Sequence, residues 1–235
     1  MRLLFVFAHQ DDEVAAAPRI RRAVAGGDEI ACAFLTGERD SVRDDESRRA
    51  LAFLSVTDVA FIGSDAGIDD GTLVENLDLA LTSLAARFGG ADEVWTLAWE
   101  GGHQDHDAAQ LVALALARRL RAPCFEVPLY TGFGRVGPFF RVNHPIGDGW
   151  TSRKLPLRDV WKNAALTRFY RSQRRTWLAL LPGLLTTRRG YVREADAARV
   201  LSRPHEGPLF YERRFRYPYS RFEAHARPFI EARLG

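Results

Sequence analysis

The sequence has few cysteines and no long apolar run, and each shortage excludes a class of protein. The only cysteines are Cys32 and Cys124, which excludes a framework of disulfides and a structural zinc site closed by cysteine ligands. No apolar segment approaches the roughly 20 residues that a membrane-spanning helix needs. The amino terminus lacks the basic region and the small-residue cleavage site of a secretory signal. We therefore expect a soluble, cytoplasmic protein.

A glycine-rich phosphate-binding motif is also missing. The first apolar run, residues 2–8, is not followed by G-x-G-x-x-G, so we expect no dinucleotide cofactor at that turn.

Basic charge is scarce in the first half of the chain: residues 1–110 hold 9 basic and 21 acidic side chains, whereas residues 111–235 hold 24 basic and 9 acidic side chains. Such an asymmetry is typical either of two halves that attract each other within one fold or of a surface for an anionic partner.

The order of apolar runs predicts an α/β fold. Hydrophobic residues make up 46% of the 235 residues, as in an ordinary globular chain. Five predicted strands alternate with helical patterns, and they cover residues 2–8, 29–36, 58–62, 93–98 and 124–129. This alternation indicates a Rossmann-like, mostly parallel sheet with helices on both faces. We expect a single domain over residues 1–235, with an irregular carboxyl-terminal third.

Four polar segments follow the predicted strands, and they cover residues 9–13, 36–38, 63–71 and 99–106. Ligand sites in parallel sheets lie beyond the carboxyl ends of the strands, so these segments are expected to meet at one edge. His9 and Asp12 are spaced so that both side chains can face one point, and His106 lies on a second segment of that edge. Two histidines and one carboxylate leave a coordination position open, as in catalytic rather than structural zinc sites.

The acidic trio Asp11, Asp12 and Glu13 supports a cation site. Three consecutive carboxylates crowd negative charge, which is costly without a cation nearby. Acidic residues also suit the start of a helix, but a cap needs one acid and not a trio that follows a histidine. We therefore favour the metal site over simple capping.

Two short motifs resemble the PIG-L (LmbE-like) family of zinc-dependent N-acetyl-sugar deacetylases. The family signatures A-H-P-D-D-E and H-P-D-H are matched by residues 8–13, Ala-His-Gln-Asp-Asp-Glu, and by residues 103–106, His-Gln-Asp-His. Gln10 and Gln104 replace the proline of each signature, at positions that carry no ligand. Weaker similarities extend the resemblance over roughly residues 1–175, and they include Arg43 and the pair Ser172-Gln173.

The resemblance implies a function and a set of residue roles. It implies that His9, Asp12 and His106 bind zinc, with iron(II) as a second candidate, and that Asp11 is the general base. It further implies that His103 helps to polarise the carbonyl and that Arg43 contacts sugar hydroxyls. Asp105 is predicted from its position to orient a histidine. One of Asp65, Asp69 and Asp70 on the third polar segment is expected to contact a substrate hydroxyl, and we choose Asp65; a solvated turn is the alternative. The implied reaction is removal of an acetyl group from an amino sugar such as an N-acetylglucosamine conjugate.

The later part of the sequence leaves the substrate and partners open. Residues 157–173 are predicted to form a helix with a basic face, followed by an apolar run, 177–185, that Pro182-Gly183 should interrupt. Peripheral membrane contact through residues 158–185 is one interpretation, and it would suit a lipid-linked amino sugar rather than a free small molecule. Pairing of these cations with the acidic first half is the interpretation that we favour. No nucleic acid is expected, and the sequence predicts no oligomeric state.

Three alternatives to the deacetylase remain. The same metal site could hydrolyse another amide. Two histidines and one carboxylate also describe non-haem iron(II) oxygenases, although these place the carboxylate two residues after the histidine, whereas Asp12 lies three residues after His9. A basic carboxyl-terminal surface could instead define a non-catalytic module that binds anionic ligands, but this leaves the histidines unexplained.

Overall fold

The computed structural model describes residues 1–39 and 41–235, and its first half alternates strands with helices. In chain order these are β1 (Arg2–Phe7), α1 (Glu13–Ala25), β2 (Glu29–Phe34), α2 (Val42–Phe53), β3 (Asp58–Phe61), α3 (Ile62–Ala66), a 3₁₀ turn (Leu73–Asn76), α4 (Leu77–Arg87), β4 (Glu93–Leu97), α5 (Gln104–Leu120) and β5 (Cys124–Val127). All five predicted strands are present, each ending one or two residues earlier than the apolar run that predicted it. The apolar spacing over residues 72–88 predicts one helix, and this segment starts as the 3₁₀ turn and becomes α-helical at Leu77.

The second half contributes shorter elements and one long helix. They are β6 (Tyr130–Thr131), β7 (Arg141–Val142), β8 (Thr151–Lys154), α6 (Leu157–Leu166), a 3₁₀ turn (Thr167–Phe169), α7 (Arg174–Thr186), β9 (Arg189–Glu194), a 3₁₀ turn (Arg199–Leu201), α8 (Phe210–Arg214) and α9 (Tyr219–Arg233). Irregular segments separate many of these elements, as expected. The sequence did not reveal β8, β9 or α9.

A seven-stranded sheet forms the centre of the protein, in the order β3-β2-β1-β4-β5-β9-β8. The first five strands are parallel, so their carboxyl ends share one edge. β9 pairs antiparallel with β5, and β8 pairs antiparallel with β9. β1 lies between β2 and β4, which places the residues after β1 at the middle of that edge.

Helices cover both faces of the sheet because both faces of the central strands are apolar. On β1, Leu4 and Val6 join a buried cluster with residues of α4, α5 and α9. Leu3, Phe5 and Phe7 point to the other face and join a second cluster with residues of α1, α2 and α7. The predicted mostly parallel α/β fold with helices on both faces is therefore confirmed.

The α6–α7 region differs from the prediction. The helix predicted over 157–173 ends at Leu166, and the apolar run predicted to be interrupted lies within the continuous helix α7. Pro182 is tolerated inside α7 on its solvent-exposed side, where water can satisfy the freed carbonyl. Gly183 has a packing reason, because a Cβ at this position would lie 2.6 Å from the Cβ of Val142 on β7.

Three tryptophans, for which the sequence favours core packing over stacking on a sugar ring, differ in their burial. Trp95 and Trp99 are buried, with 4% and 5% of their surface exposed, as expected. Trp161 is 63% exposed on the outer side of α6, so the expectation of core packing is wrong for this residue.

Both cysteines are buried free thiols. Across the described ranges, no helix combines the length and the apolar character needed to cross a membrane.

A buried ion pair attaches the antiparallel strands to the parallel sheet. Arg193 on β9 is 6% exposed, and its Nε donates to the Glu126 carboxylate on β5 at 2.6 Å. Nη1 of the same guanidinium donates to the Ile146 and Asp148 carbonyls, at 3.1 and 3.0 Å. A charged inward-facing residue breaks the apolar alternation of β9, which explains why the sequence pattern did not reveal this strand.

We expect Arg193→Met to lower the free energy of unfolding by about 3 kcal/mol, because it leaves the Glu126 carboxylate buried without its partner. Arg189→Met is the matched control, since Arg189 lies on the same strand but is exposed. Urea unfolding of both variants measures the difference. Equal stability of the two variants would show that the pair does not hold β9 against β5.

Candidate metal centre

Residues 9–12 and 103–106 meet at the edge formed by the carboxyl ends of the parallel strands. The first segment links β1 to α1, and the second precedes and starts α5 after β4. β1 and β4 are neighbours in the sheet, so two segments almost a hundred residues apart in sequence come into contact. The predicted convergence of these two segments is therefore present.

His9, Asp12 and His106 place three possible ligand atoms around one point. His9 Nδ1 lies 3.1 Å from His106 Nε2, which lies 3.1 Å from Asp12 Oδ1. His9 Nδ1 is 3.7 Å from Asp12 Oδ2. Neighbouring ligands of a tetrahedral zinc ion with bonds of about 2.0 to 2.1 Å lie roughly 3.3 Å apart, so both the donor types and their spacing fit such a metal. All three side chains are buried.

Asp105 fixes the orientation of the His9 ring. Its Oδ2 lies 3.1 Å from His9 Nε2, and its carboxylate also accepts the backbone N–H groups of Gly71 and Leu73, at 2.5 and 3.2 Å. A carboxylate in this position keeps the histidine proton on Nε2 and leaves the Nδ1 lone pair free for a metal. His9, His103 and Asp105 form a second possible metal group. We favour the first group because the atoms of Asp105 and His103 Nδ1 are already engaged in hydrogen bonds within the chain.

Charge interactions shift the pKa values of these groups in opposite directions. Burial alone would lower the pKa of His9, but hydrogen bonds to Asp105 and Asp12 outweigh it and raise this pKa well above its usual value. Burial would raise the pKa of Asp12, yet the charge of His106 and the hydrogen bonds from both histidines lower it. The Asp12 side chain is therefore an ionised carboxylate, the form that binds a cation.

Asp11 occupies a strained position beside the three possible ligands. Its φ of 121° is in a region that non-glycine residues rarely adopt, at a cost of about 1–3 kcal/mol. Its carboxylate lies 3.7 Å from Arg43 Nη2, and it is buried next to Asp12. Burial and the neighbouring Asp12 charge raise the pKa of Asp11 to about 7, outweighing the lowering effect of Arg43. A carboxyl group with this pKa can both accept and return a proton near neutral pH.

His103 is the cap of helix α5 and keeps one ring nitrogen free. Its Nδ1 accepts the Asp105 backbone N–H at 3.1 Å, so the proton of the neutral ring is on Nε2. Burial and the charge of His9 lower the pKa of His103 to about 3. Its ring lies 4.6 Å from the His9 ring and 5.3 Å from the His106 ring. A neutral N–H donor therefore adjoins the possible ligands.

Arg43 joins the cluster, and its carboxylate partner on the third polar segment is Asp70 rather than Asp65. Arg43 donates to the Gln10 carbonyl at 3.1 Å and to Asp70 Oδ2 at 2.5 Å. Gln10, where the family has proline, donates from Nε2 to the Thr36 carbonyl at 3.1 Å. Asp65 is exposed on α3 and lines a separate cavity of about 800 Å³ with residues of α2 and α4. The structure thus gathers every predicted site residue except Asp65.

Two contacts from the second half of the chain were missed. The Tyr170 hydroxyl contacts the buried Glu13 carboxyl group and lies 3.2 Å from Ser47 Oγ. Burial raises the pKa of Glu13 to about 8, with a smaller contribution from Asp11, so its side chain is largely protonated at neutral pH. Glu46 accepts the Ser172 backbone N–H at 3.0 Å and its hydroxyl at 2.6 Å. Only Ser172 had a sequence signal, through the weak family similarity.

Aromatic rings form a wall beside the histidines. This aromatic wall consists of Tyr130, Phe140, Phe210 and Phe215. The Phe215 ring lies 4.7 Å from His103, and the Tyr130 ring lies 5.4 Å from His106. Gly102 permits the close approach, because a Cβ at this position would lie 2.2 Å from the Tyr130 carbonyl oxygen. The wall comes from the irregular third of the chain, where no sequence pattern predicted the positions of these rings.

Comparison with known proteins identifies the family of the amino-terminal half. Residues 4–117 match the family model described as PIG-L: GlcNAc-PI de-N-acetylase. These residues therefore form a PIG-L family domain, and the predicted resemblance is confirmed. They contain His9, Asp12 and His106, the three residues whose possible ligand atoms converge. No curated protein sequence matches the chain.

Solved structures of deacetylases share the fold. The zinc-inhibited form of teicoplanin deacetylase Orf2 matches with a TM-score of 0.60 at 15% identity, covering 83% of this chain and 99% of that one. The A40926 pseudoaglycone deacetylase Dbv21 matches with a TM-score of 0.59 at 16% identity, covering 82% and 96%. N,N'-diacetylchitobiose deacetylase from Pyrococcus horikoshii matches with a TM-score of 0.53 at 16% identity, covering 88% and 86%. The likeness to these three deacetylases therefore shows that this chain shares their fold.

We expect Asp105→Asn to weaken metal binding about 10- to 100-fold, because the amide no longer holds the His9 proton on Nε2 as a carboxylate does. Titration of the metal-free protein with zinc measures the dissociation constant. Asp69→Asn is the control, since Asp69 is exposed on the loop that also contains Gly71. An unchanged affinity in Asp105→Asn would remove Asp105 from the orienting role.

Proposed function

We propose that this protein is a metal-dependent hydrolase that removes the acetyl group from an N-acetylated amino sugar, such as an N-acetylglucosamine conjugate. The observation that carries the proposal is the convergence of His9 Nδ1, Asp12 and His106 Nε2 beside a strained, buried Asp11. The family match and the deacetylases that share the fold support the same reaction class. We further propose that residues 1–235 act as one domain, in the cytoplasm, where free thiols such as Cys32 and Cys124 persist.

His9, Asp12 and His106 would hold the metal ion, which supplies Lewis acidity to the amide carbonyl and to the attacking water. Zinc is our first candidate, since two histidines and one carboxylate with an open position suit catalytic zinc. The same donors accept iron(II). A structural neighbour was solved in a form described as zinc inhibited, so both metals belong in any activity test.

Asp11 is proposed as the general base and then the general acid. It takes a proton from the water that attacks the acetyl carbonyl, and it returns this proton to the amine that leaves. The products are acetate and the free amino sugar. Burial and the Asp12 charge raise its pKa to about 7 without a cation, and a bound cation would lower this pKa and favour the carboxylate form that accepts the proton. Arg43, 3.7 Å from its carboxylate, limits how far burial raises the pKa.

His103 is proposed to stabilise the oxygen of the former carbonyl. Its Nδ1 is held by the Asp105 backbone N–H, so Nε2–H is the free donor. A fixed donor directed at developing negative charge is the usual source of such stabilisation. The low pKa of His103 keeps the ring neutral across the physiological range, so the site carries a hydrogen-bond donor there without an extra charge.

Arg43 and Asp70 are proposed to bind sugar hydroxyls at the solvent-facing side of the site. Asp70 carries this role in place of Asp65, because Asp70 contacts Arg43 and Thr36, whereas Asp65 lines a separate cavity. The aromatic wall is proposed to contact the apolar part of a conjugate. The alternative substrate is another N-acyl amide of similar shape. Comparing the turnover of substrates that differ only in the acyl chain distinguishes an N-acetyl sugar from this alternative.

We expect Asp11→Asn to retain the metal and to lose at least about 100-fold in kcat, because asparagine tolerates a positive φ but cannot accept the proton. Metal content and acetate release are measured on the same preparation. Asp69→Asn serves again as the exposed control. Turnover close to that of the unchanged protein would assign the base to another group.

His106→Ala should remove both the metal and acetate release, because the ring supplies one of only three ligands from the chain. The metal content of the purified protein and acetate release from N-acetylglucosamine conjugates are measured after loading with zinc or iron(II). His225→Ala, on the exposed side of α9, is the matched control. If the unchanged protein holds no metal and releases no acetate after loading with zinc or with iron(II), the hydrolase proposal is overturned and a non-catalytic binding module is favoured.

A further inference from the structure

The outer surfaces of α6 and α7 combine exposed apolar side chains with exposed cations. Leu157 and Trp161, one turn apart on α6, are 56% and 63% exposed, and Leu178 on α7 is 65% exposed. Exposed cations lie on the same two helices and on the segment between them. We define the basic face as these three apolar residues together with six exposed cations: Arg158, Lys162, Arg168, Arg171, Arg174 and Arg175. Soluble surfaces carry isolated exposed apolar residues, but a cluster within a cationic patch indicates an interaction site.

These cations form no ion pair with the acidic residues of the first half that the structure describes, contrary to the expectation from the sequence. Within residues 1–39 and 41–235, the only carboxylate within 4.0 Å of one of them is Asp159, 3.9 Å from its neighbour Arg158. Arg168 instead stacks over the Phe53 and Phe169 rings. The halves are joined elsewhere, for example by Arg221 with Glu75 and by Arg233 with Asp78. The positive charge of the basic face is therefore available to a partner.

A groove of about 880 Å³ adjoins the basic face and adds more cations. It lies between α1, α6 and β8, and Arg22, Arg153 and Lys154 line it together with Arg158 and Lys162. Burial lowers the pKa of Arg22, and the charges of Arg153 and Arg19 lower it further. Cations that repel one another in this way would be stabilised by an anionic group in the groove.

We propose that the basic face docks on an anionic lipid bilayer, with Leu157, Trp161 and Leu178 entering the interface and the cations contacting acidic headgroups. Charge complementarity favours an anionic bilayer over the two other candidate partners, a second copy of the chain and nucleic acid. A second copy of the chain would oppose cations with cations, which is unfavourable. Nucleic acid would neutralise the cations but would leave the two leucines exposed. An anionic bilayer satisfies both the charge and the apolar surface.

One buried side chain links the segment between α6 and α7 to the residues next to the candidate metal centre. The segment between α6 and α7 contains Tyr170, whose hydroxyl contacts Glu13 next to Asp12. Docking would therefore bring the candidate centre close to the bilayer, where an amino sugar carried on a lipid is presented. This consequence rests on the proposed function, whereas the docking itself does not. The test accordingly measures binding and not turnover.

The experiment is co-sedimentation with vesicles of phosphatidylglycerol and phosphatidylcholine, compared with vesicles of phosphatidylcholine alone, at low and at physiological salt. We expect binding to the anionic vesicles that weakens as salt increases. Arg171→Gln with Arg175→Gln should weaken it roughly fivefold for each cation removed. Trp161→Ala with Leu178→Ala should weaken it roughly threefold to tenfold through the lost apolar area.

Matched controls separate the basic face from general charge and apolarity. Leu201→Ala removes an exposed leucine, 63% exposed, on the opposite side of the sheet, and Arg119→Gln with Arg227→Gln removes two exposed cations from other helices. Both controls should bind as the unchanged protein does. His106→Ala should bind vesicles normally even if it loses activity, which separates failure of this proposal from failure of the proposed function.

Three results would overturn the proposal. The first is no sedimentation with anionic vesicles at low salt. The second is equal loss of binding in the control variants, which would show a diffuse charge effect. The third is tight binding of a short oligonucleotide together with no vesicle binding. If Trp161→Ala with Leu178→Ala leaves the oligonucleotide affinity unchanged, the basic face is assigned to nucleic acid.

Discussion

The carboxylates at the carboxyl end of β1 impose the constraint on which the site depends. Asp11, Asp12 and Glu13 are consecutive and buried, and Asp105 is buried beside them. Each is stabilised in a different way: Asp12 by two histidines, Asp105 by His9 and two backbone N–H groups, Asp11 by the nearby Arg43, and Glu13 by protonation. A divalent cation at the three converging atoms would reduce the remaining repulsion. The same arrangement therefore explains both the charge balance and the chemistry that we propose.

The sequence predicted the five parallel strands and the convergence of His9, Asp12 and His106 because both depend on local patterns. The apolar runs alternate with helical segments, and parallel strands bring their carboxyl ends to one edge, so His9 and His106 could be placed together before any contact was known. Asp70 could not be separated from Asp65, since both lie on one polar segment. The course of that segment depends on turns at Gly67 and Gly71, whose φ angles are 72° and 89°.

Long-range contacts and charged interior positions account for what the sequence missed. Tyr170 reaches Glu13 over 157 residues from a segment that reads as a continuous helix. Arg193 faces inward on β9 because Glu126 on β5 supplies its partner, and no apolar alternation marks such a strand. Trp161 looks like a core residue by type, but it lies on the arc of α6 that carries Arg158 and Lys162. For Tyr170 and Arg193 the deciding information is a partner distant in sequence.

The residues that would hold the metal and the residues that surround it come from different parts of the chain. His9, Asp12 and His106 lie in the first half, whereas the aromatic wall and Tyr170 lie between residues 130 and 215. Substitutions in the second half can therefore reshape what is recognised while the bond-breaking groups stay unchanged. Such a division lets descendants of one ancestral enzyme diverge in substrate range without passing through inactive intermediates.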